Sequence, residues 1–281
     1  MNPSEKLLKK LIVKNSQTRV FFIFLVLIVV FALSILTRFY AIEHIQIKDN
    51  SMAPEIKNNE RLWICKTPWC KNQIQPNDIV LAQKRIGEVL LRRVIGLPSS
   101  ELKISSEGHV KSAYLDFVWK NETAFIDSRH FYIPKKGDTL FLDSLNDVEM
   151  DLAISILKQQ NTSFFIKPSV FQGSQELPLN VVGSARIASR PVSIKEIQGL
   201  PWQELFLIGL QVQKNQPSVG EVKIKREVYS LKDSSKIESF IVLEDYYYLA
   251  CNQGARCIDS RELGLFSRST IIGKKIRLPW N

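Results

Sequence analysis

One long apolar run near the N-terminus limits the folds that this 281-residue chain can adopt. From Val20 to Leu36 every residue is apolar except Ser34, and Thr37 follows. A run of this length is about sufficient to cross the hydrocarbon core of a bilayer. Because an unpaired backbone amide is costly in lipid, the run is predicted to be a helix.

The charges on either side of the run predict its orientation. Only Arg38 follows the run before Glu43, whereas five cationic residues precede it: Lys6, Lys9, Lys10, Lys14 and Arg19. Cytoplasmic flanks carry the excess of Lys and Arg, so the N-terminus is predicted to lie in the cytoplasm. A cleaved signal peptide is the competing interpretation, but the run is long for one and no small-x-small site follows it directly. A buried core helix fits such uniform apolarity less well.

This orientation divides the chain into three predicted parts. Residues 1–19 are a cytoplasmic basic tail, residues 20–37 are a single transmembrane anchor, and residues 38–281 form an extracytoplasmic domain. The expected location is the cytoplasmic (inner) membrane, with the lipid bilayer itself as one partner.

Composition excludes one class of partner. A hydrophobic content of 45% and a charged content of 23% suit a folded globular body. The net charge of +10 could indicate a nucleic-acid-binding protein. Part of that charge lies in the N-terminal tail and the rest is scattered, so we expect no nucleic-acid partner.

A stretch that contains a serine begins about a dozen residues beyond the apolar run. The stretch is Asn50-Ser51-Met52-Ala53-Pro54-Glu55-Ile56. Taken alone, Ser51 is most simply a turn or cap residue, and Pro54 a turn opener. Its place just outside a membrane span also suits a nucleophile held near the bilayer surface.

The four cysteines form two close pairs in sequence, Cys65 with Cys70 and Cys251 with Cys257. An extracytoplasmic domain permits disulfides. A zinc site fits less well, because the spacings are wide and no histidine is close. Disulfides or free thiols are therefore the favoured interpretations, and the sequence does not choose the pairing.

Short apolar-rich segments separated by turn residues predict an antiparallel β body. In the first half the predicted strands are Ile42–Lys48, Arg61–Cys65, Asp78–Gln83, Glu88–Ile95, Leu102–Ile104 and His109–Trp119. In the second half the predicted strands include Ser239–Ala250, followed by segments at residues 265–266 and 271–274.

Residues of about 121–239 are predicted to be an inserted, smaller α/β subdomain between core segments at about 38–120 and 240–281. Asn146 with Glu149 resembles a capping box, and apolar residues follow at helical spacing, so one helix is predicted at about 146–160. Residues 163–182 and 205–212 are predicted to be further strands.

A polar loop follows the strongest strand of the second half. It contains Asp259-Ser260-Arg261-Glu262-Leu263-Gly264. Asp259 and Arg261 are expected to form a bidentate pair that fixes the loop. A solvated turn without chemistry is the plainer interpretation of this loop alone.

Four segments together resemble the type I signal peptidases, which are membrane-anchored serine proteases. They are Ser51-Met52-Ala53-Pro54, Arg92-Arg93-Val94-Ile95-Gly96-Leu97-Pro98, Asp259-Ser260-Arg261-Glu262-Leu263-Gly264 and Ile271-Ile272-Gly273-Lys274. They occur in the family's order behind an anchor of the right polarity. The resemblance covers about residues 20–112 and 240–277, and residues 121–239 fit the variable insertion of such enzymes.

The resemblance implies a mainly β fold and a set of roles. Ser51 would be the nucleophile, Met52 and Pro54 would contact substrate, and Asp259, Ser260 and Arg261 would support the site. In the family a neutral lysine amine takes the serine proton, since burial moves its pKa toward neutrality. The implied substrates are the signal peptides of exported preproteins, and no metal or cofactor is needed.

The residue at the lysine position is Arg92. Since the pKa of arginine lies more than three units above that of lysine, deprotonating Arg92 costs roughly 4–5 kcal/mol more. A cost of that size in the barrier lowers the rate by on the order of a thousandfold. Lys84 is the nearest alternative base, and none of His44, His109 and His130 is at the family's base position.

Two further departures affect the oxyanion site. Asp49 stands where the family has Ser or Gly, and an ionised carboxylate there would oppose a developing oxyanion. Cys257 replaces a serine two residues before Asp259 and is a weaker hydrogen-bond partner.

Three functions therefore follow from the sequence. The first is a signal peptidase I-type serine endopeptidase with Ser51 as nucleophile. The second is an inactive homologue that binds signal peptides, or that partners an active peptidase or the secretion machinery. The third is an anchored, β-rich extracytoplasmic binding protein with accidental motifs.

Overall fold

The computed structural model describes residues 20–35, 41–85, 88–105, 109–112, 115–118, 129–187, 189–215, 220–253 and 257–276. Helix α1 covers residues 20–35, and its apolar side chains are exposed. Within these ranges, none of the helices combines the length and apolarity needed to cross a membrane. Residues 36 and 37 of the predicted anchor and the basic tail at 1–19 lie outside the described residues, so the anchor remains a prediction.

The largest element is a seven-stranded antiparallel sheet with the order β1-β2-β18-β3-β4-β16-β17. Its strands are β1 Ile42–Gln46, β2 Arg61–Cys65, β3 Ile79–Arg85, β4 Glu88–Gly96, β16 Tyr246–Ala250, β17 Phe266–Ser267 and β18 Ile271–Ile276. The predicted mainly β, antiparallel architecture is confirmed.

The first and last parts of the chain interleave in this sheet. β18 lies between β2 and β3, and β16 pairs with β4. This order brings the Arg92 strand beside the strand that leads into the 251–264 loop, because Ala250 is the partner of Arg93. The fold thus joins two segments that are far apart in sequence.

Between β4 and β16 the chain leaves the large sheet. It first forms a four-stranded sheet of the order β7-β6-β5-β8. The strands are β5 Glu101–Ile104, β6 His109–Ser112, β7 Leu115–Val118 and β8 Arg129–Tyr132. Strand β9 Thr139–Phe141 then pairs with β15 Ser239–Ile241. The segment predicted as one strand over Ser239–Ala250 is therefore two strands, β15 and β16, in different sheets.

A smaller α/β unit lies within this excursion. Its sheet has the order β11-β10-β14, formed by β10 Phe164–Gln172, β11 Gln175–Leu177 and β14 Val222–Ser230. Its remaining elements are β12 Arg186–Ile187, β13 Arg190–Pro191, α3 Asp147–Gln159, α4 Ile194–Ile197 and α5 Trp202–Asn215. The predicted helix at 146–160 is confirmed as α3, and Asn146 and Glu149 form the predicted capping box.

The prediction of a strand at residues 205–212 is wrong, because this segment lies in helix α5. Its buried residues are Leu205, Ile208, Gly209 and Val212, which is the spacing of one helical face. The nearly unbroken apolar run hid that period, since Phe206, Leu207 and Leu210 are also apolar although they are exposed. Continuous apolar runs do not distinguish a buried strand from a helix by periodicity alone.

Both cysteine pairs are disulfides, Cys65 with Cys70 and Cys251 with Cys257. The first connects β2 to the short helix α2, Pro68–Asn72. The second closes the start of the loop that follows β16. The sequence left the pairing open, and the structure pairs each cysteine with its near neighbour.

Candidate active site

Ser51 lies in the turn that connects β1 to β2. The turn is held by its apolar side chains, since Met52 and Ile56 are fully buried in a core cluster with Leu62, Ile64 and Leu91. Burying such side chains contributes about 1.5–3 kcal/mol each. The burial of Met52 therefore fixes the backbone of the neighbouring Ser51. Pro54, the other residue predicted to contact substrate, is exposed.

The loop after β16 holds the serine backbone from the opposite side. The backbone N–H groups of Asn252 and Gln253 donate to the carbonyl oxygen of Ser51 at 3.0 and 3.3 Å. The Asn252 side chain also donates to the carbonyl oxygen of Met52 at 3.0 Å. The nucleophile turn and this loop therefore form one unit, although some two hundred residues separate them in the chain.

Arg92, on β4, reaches the Ser51 hydroxyl. Its side chain is 3% exposed, and Nη1 donates to Ser51 Oγ at 3.0 Å. Nε and Nη2 donate to the carbonyl oxygen of Ile258 at 2.9 and 2.7 Å, and Nη1 also donates to that of Leu91 at 2.6 Å. A guanidinium offers only donors, so in this arrangement Arg92 cannot accept the serine proton.

The charge state of Arg92 depends on opposing effects. Burial lowers the pKa of Arg92, while the carboxylates of Asp259 and Asp49 raise it and the nearby Arg261 lowers it. Hydrogen bonds donated by the charged form favour that form. The four bonds that Arg92 donates therefore hold the guanidinium in its protonated state.

Asp49 contacts the Ser51 hydroxyl from the solvent side. Ser51 Oγ donates to Asp49 Oδ1 at 2.9 Å, and the Ser51 backbone N–H lies 3.3 Å from the same oxygen. Asp49 is exposed, whereas Arg92 is buried. The hydroxyl is thus placed between a buried cation and an exposed carboxylate.

Asp259 and Arg261 form a buried ion pair next to Ile258, whose carbonyl oxygen accepts from Arg92. Asp259 is fully buried, and Arg261 donates to its two oxygens from Nε at 2.8 Å and Nη2 at 3.0 Å. The backbone N–H groups of Arg261 and Cys251 also donate to Asp259. Ser260 does not face the hydroxyl, because its Oγ accepts from Leu249 N at 2.8 Å. These bonds fix the position of the Ile258 carbonyl that holds Arg92.

Two contacts of Arg93, neither predicted from the sequence, connect the nucleophile turn to the loop after β16. Arg93, 9% exposed, forms an ion pair with Glu55 in the nucleophile turn. Arg93 Nε also donates to the Asn252 side-chain oxygen at 3.1 Å. An alternating strand pattern predicts that one of Arg92 and Arg93 is buried and the other exposed, so the burial of both could not be read from the pattern.

The disulfide removes the role predicted for Cys257. A disulfide sulfur carries no proton, so Cys257 has no S–H to donate as a replacement for the family's serine. The sulfurs of Cys251 and Cys257 and the Asp259 carboxylate lie within 4.8 Å of one another, a spacing that could suit a metal ion. Since the two sulfurs are bonded together, they offer no thiolate for a metal.

Lys84, the predicted alternative base, lies at the far end of β3 from the site. Val80 is the strand partner of Arg92, and Lys84 follows four residues later. At about 3.3 Å per residue the Lys84 backbone is roughly 13 Å along the strand. The Lys84 side chain lies outside the described residues.

The fold and this geometry together define a class of protein. It is a β-rich protein that carries a serine hydroxyl between an exposed carboxylate and a buried arginine. The family model described as signal peptidase, peptidase S26, matches residues 18–111. The match confirms the predicted relationship to the type I signal peptidase family, and it includes Asp49, Ser51 and Arg92. No curated protein matches the chain significantly.

Proposed function

We propose that the protein is a signal peptidase I-type serine endopeptidase that removes N-terminal signal peptides from exported preproteins, with Ser51 as the nucleophile. One observation carries this proposal: the Ser51 hydroxyl has a proton acceptor, Asp49, at 2.9 Å and a buried cation, Arg92, at 3.0 Å. A nucleophilic serine requires both a route for its proton and stabilisation of the charge that develops.

The proposed setting is a membrane. Residues 20–37 would anchor the protein once in the cytoplasmic membrane, and the β-rich domain would lie outside the cytoplasm. The apolar, exposed surface of α1 and the basic residues before it support this arrangement. An anchored peptidase meets signal peptides where they emerge from the same bilayer. Small residues before the cleaved bond would be accepted, as the family resemblance implies.

A second function is favoured by a separate observation. The Ser51 backbone N–H lies 3.3 Å from Asp49 Oδ1, which is the position that the family resemblance implies for oxyanion stabilisation. If that N–H stays with Asp49 throughout, cleavage is suppressed, and the protein would bind signal peptides or partner an active peptidase instead.

Cleavage of a preprotein by the full chain in detergent tests the proposal. We expect cleavage after the signal peptide by the parent protein and none by Ser51→Ala. Ser269→Ala is a matched control, because Ser269 is a serine of the same chain near β18 and away from this hydroxyl network. The control should cleave at the parent rate.

Binding separates the two functions. A parent that binds the preprotein as tightly as Ser51→Ala does, without cleaving it, would contradict the peptidase and support the binding homologue. Cleavage that survives Ser51→Ala would contradict the role of Ser51 itself.

A further inference from the structure

The direction of the bonds at the Ser51 hydroxyl assigns its proton. A hydroxyl has one hydrogen to donate, and Arg92 Nη1 occupies an acceptor position of Oγ because a guanidinium only donates. The remaining contact is Asp49 Oδ1 at 2.9 Å, and an ionised carboxylate only accepts. The serine hydrogen therefore points to Asp49.

We infer that Asp49 is the general base of this site and that Arg92 stabilises the charge on the reacting oxygen. This inference rests on the proposed peptidase function and reverses the roles that the sequence alone suggested for the two positions. An aspartate can serve in this way, as the catalytic-loop aspartate of protein kinases does when it accepts a hydroxyl proton.

The acylation step then balances with groups that are present. Ser51 Oγ forms a bond to the scissile carbonyl carbon while its proton moves to Asp49, and the carbonyl π electrons move to the oxygen. The tetrahedral intermediate collapses, the carbon–nitrogen bond breaks, and Asp49 returns the proton to the leaving amine.

Deacylation repeats the sequence with water. Water gives a proton to Asp49 as its oxygen attacks the ester carbon, and the bond from that carbon to Ser51 Oγ breaks. Asp49 then returns the proton to Oγ. The exposure of Asp49 suits this step, because solvent reaches the carboxylate from outside.

Proton transfer also removes the conflict with the oxyanion. While Asp49 is ionised, it attracts the Ser51 backbone N–H, which lies 3.3 Å away. Once Asp49 holds the proton its charge is neutralised, and hydrogen bonds to neutral groups are roughly half as strong as those to charged groups. The N–H is thus released toward the substrate oxygen when that oxygen becomes negative.

A second Asp-x-Ser turn in the chain shows what is special about this one. Asp233 Oδ1 accepts from Ser235 Oγ at 2.8 Å and from Ser235 N at 3.2 Å, which is nearly the geometry of Asp49 and Ser51. Such turns are ordinary local structures. Ser235 lies in an exposed turn, whereas Ser51 also receives the bond from buried Arg92. The buried cation turns a common local motif into a candidate catalytic group.

The test uses kcat and KM of the full chain in detergent on a preprotein with a small residue before the cleaved bond. Asp49→Asn keeps the size of the side chain and one acceptor oxygen but removes the base, so kcat should fall by about a hundredfold or more, with little change in KM. Asp233→Asn is the matched control and should retain the parent kcat. Thermal unfolding of each variant checks that the fold is kept.

The direction of the change in kcat in a second variant shows whether Asp49 acts as the base or instead hinders stabilisation of the oxyanion. Asp49→Ser introduces a residue that the family uses at this position, and it should also lower kcat if Asp49 is the base. A rise in kcat for Asp49→Ser, or a parent-like kcat for Asp49→Asn, would overturn the inference while Ser51-dependent cleavage by the parent would leave the proposed function standing. Loss of Ser51 dependence in the parent would instead remove the proposed function, and the inference with it.

Discussion

Arg92 Nη1 donates a hydrogen bond to Ser51 Oγ at 3.0 Å. The family resemblance implies a lysine base at this position, so the implied change to arginine would place a donor where an acceptor is expected. The two positions are still in contact, although Ser51 lies in the turn between β1 and β2 and Arg92 lies on β4. The change alters what the contact can do. The carboxylate of Asp49 on the other side of the hydroxyl supplies the acceptor that the arginine cannot.

The first prediction concerns the pH dependence of cleavage. Burial lowers the pKa of Arg92, but its bonds to Ile258 O and Leu91 O keep the guanidinium protonated. The parent rate should therefore stay flat as the pH rises through the alkaline range. In Arg92→Lys a lysine amine gains basicity toward Ser51 only when neutral, so its rate should rise with pH.

Initial rates of both proteins, measured from neutral to alkaline pH, check this prediction. A parent rate that rises with pH would show that Arg92 titrates and acts as the base. An Arg92→Lys profile as flat as that of the parent would show that a lysine at position 92 does not act as a base toward Ser51.

The second prediction concerns the two disulfides. They span similar sequence separations, 5 and 6 residues, so removing either one should cost a similar amount, about 2 kcal/mol. Their effects on cleavage should differ. Cys251 precedes Asn252 and Gln253, whose N–H groups hold the Ser51 carbonyl. The Cys251→Ala, Cys257→Ala protein should lose at least tenfold in kcat, as small misplacements of a nucleophile do.

The matched control is the Cys65→Ala, Cys70→Ala protein, which should keep kcat near the parent value. Denaturant unfolding gives the free-energy change of each double variant, and preprotein cleavage gives kcat. Equal losses of kcat in the two variants would contradict a specific role for the second disulfide.

The third prediction concerns the capping box of α3. The Asn146 side chain accepts from Glu149 N, and the Glu149 side chain accepts from Asn146 N. Asn146→Ala should lower the free energy of unfolding by about 1 kcal/mol. Asn146→Asp still caps but loses the bond from Nδ2 to His130 O, so it should lower the free energy of unfolding by less than Asn146→Ala does. Denaturant titration followed by tryptophan fluorescence measures both. A neutral Asn146→Ala would show that this end of the helix is held by its packing instead.

The fourth prediction concerns Asp151, on α3. The Arg226 side chain is nearly buried, and its Nη1 lies 2.5 Å from Asp151 Oδ1. The backbone N–H of Trp202 donates to Asp151 Oδ2 at 2.7 Å. Burial nevertheless raises the pKa of Asp151, against the attraction of Arg226. A carboxyl group whose pKa is higher in the folded state favours folding when it is protonated. Its contribution is present below the unfolded value of 3.8 and is lost as the pH rises through the folded pKa.

The stability of the parent relative to Asp151→Asn should therefore fall as the pH rises above about 4. It should become constant once Asp151 is ionised in the folded protein. Urea unfolding of both proteins between acidic and neutral pH measures this difference. A difference that grows with pH would show that the ion pair with Arg226 outweighs burial.

Local sequence signals predicted much of the architecture. Strand β2, Arg61–Cys65, was predicted with its observed ends, because its apolar residues are bounded by turns. Helix α3 was predicted from its cap, since a capping box and helical spacing agree there. Helix α5 was missed, because a nearly continuous apolar run carries no usable period.

The site was harder to predict, because its chemistry depends on the direction of hydrogen bonds. The motifs indicated that Ser51, Arg92 and the 259–261 loop would meet. In the structure Arg92 contacts Ser51 Oγ and the carbonyl oxygen of Ile258, the residue before that loop motif. They did not indicate that Asp49 would accept from the hydroxyl, or that Arg93 and Asn252 would join the nucleophile turn to the loop. Those contacts join segments that are distant in sequence or depend on side-chain geometry within a turn.

The most direct test of this account is the acylation of Ser51 itself. The full chain would be incubated with a short peptide that carries an activated ester in place of the scissile amide, and the adduct followed by intact-mass and peptide-mass spectrometry. We predict an acyl adduct on Ser51 in the parent, which forms at least about a hundredfold more slowly in Asp49→Asn and at the parent rate in Asp233→Asn. The absence of a Ser51 adduct in the parent, or an equal rate in Asp49→Asn, would contradict it.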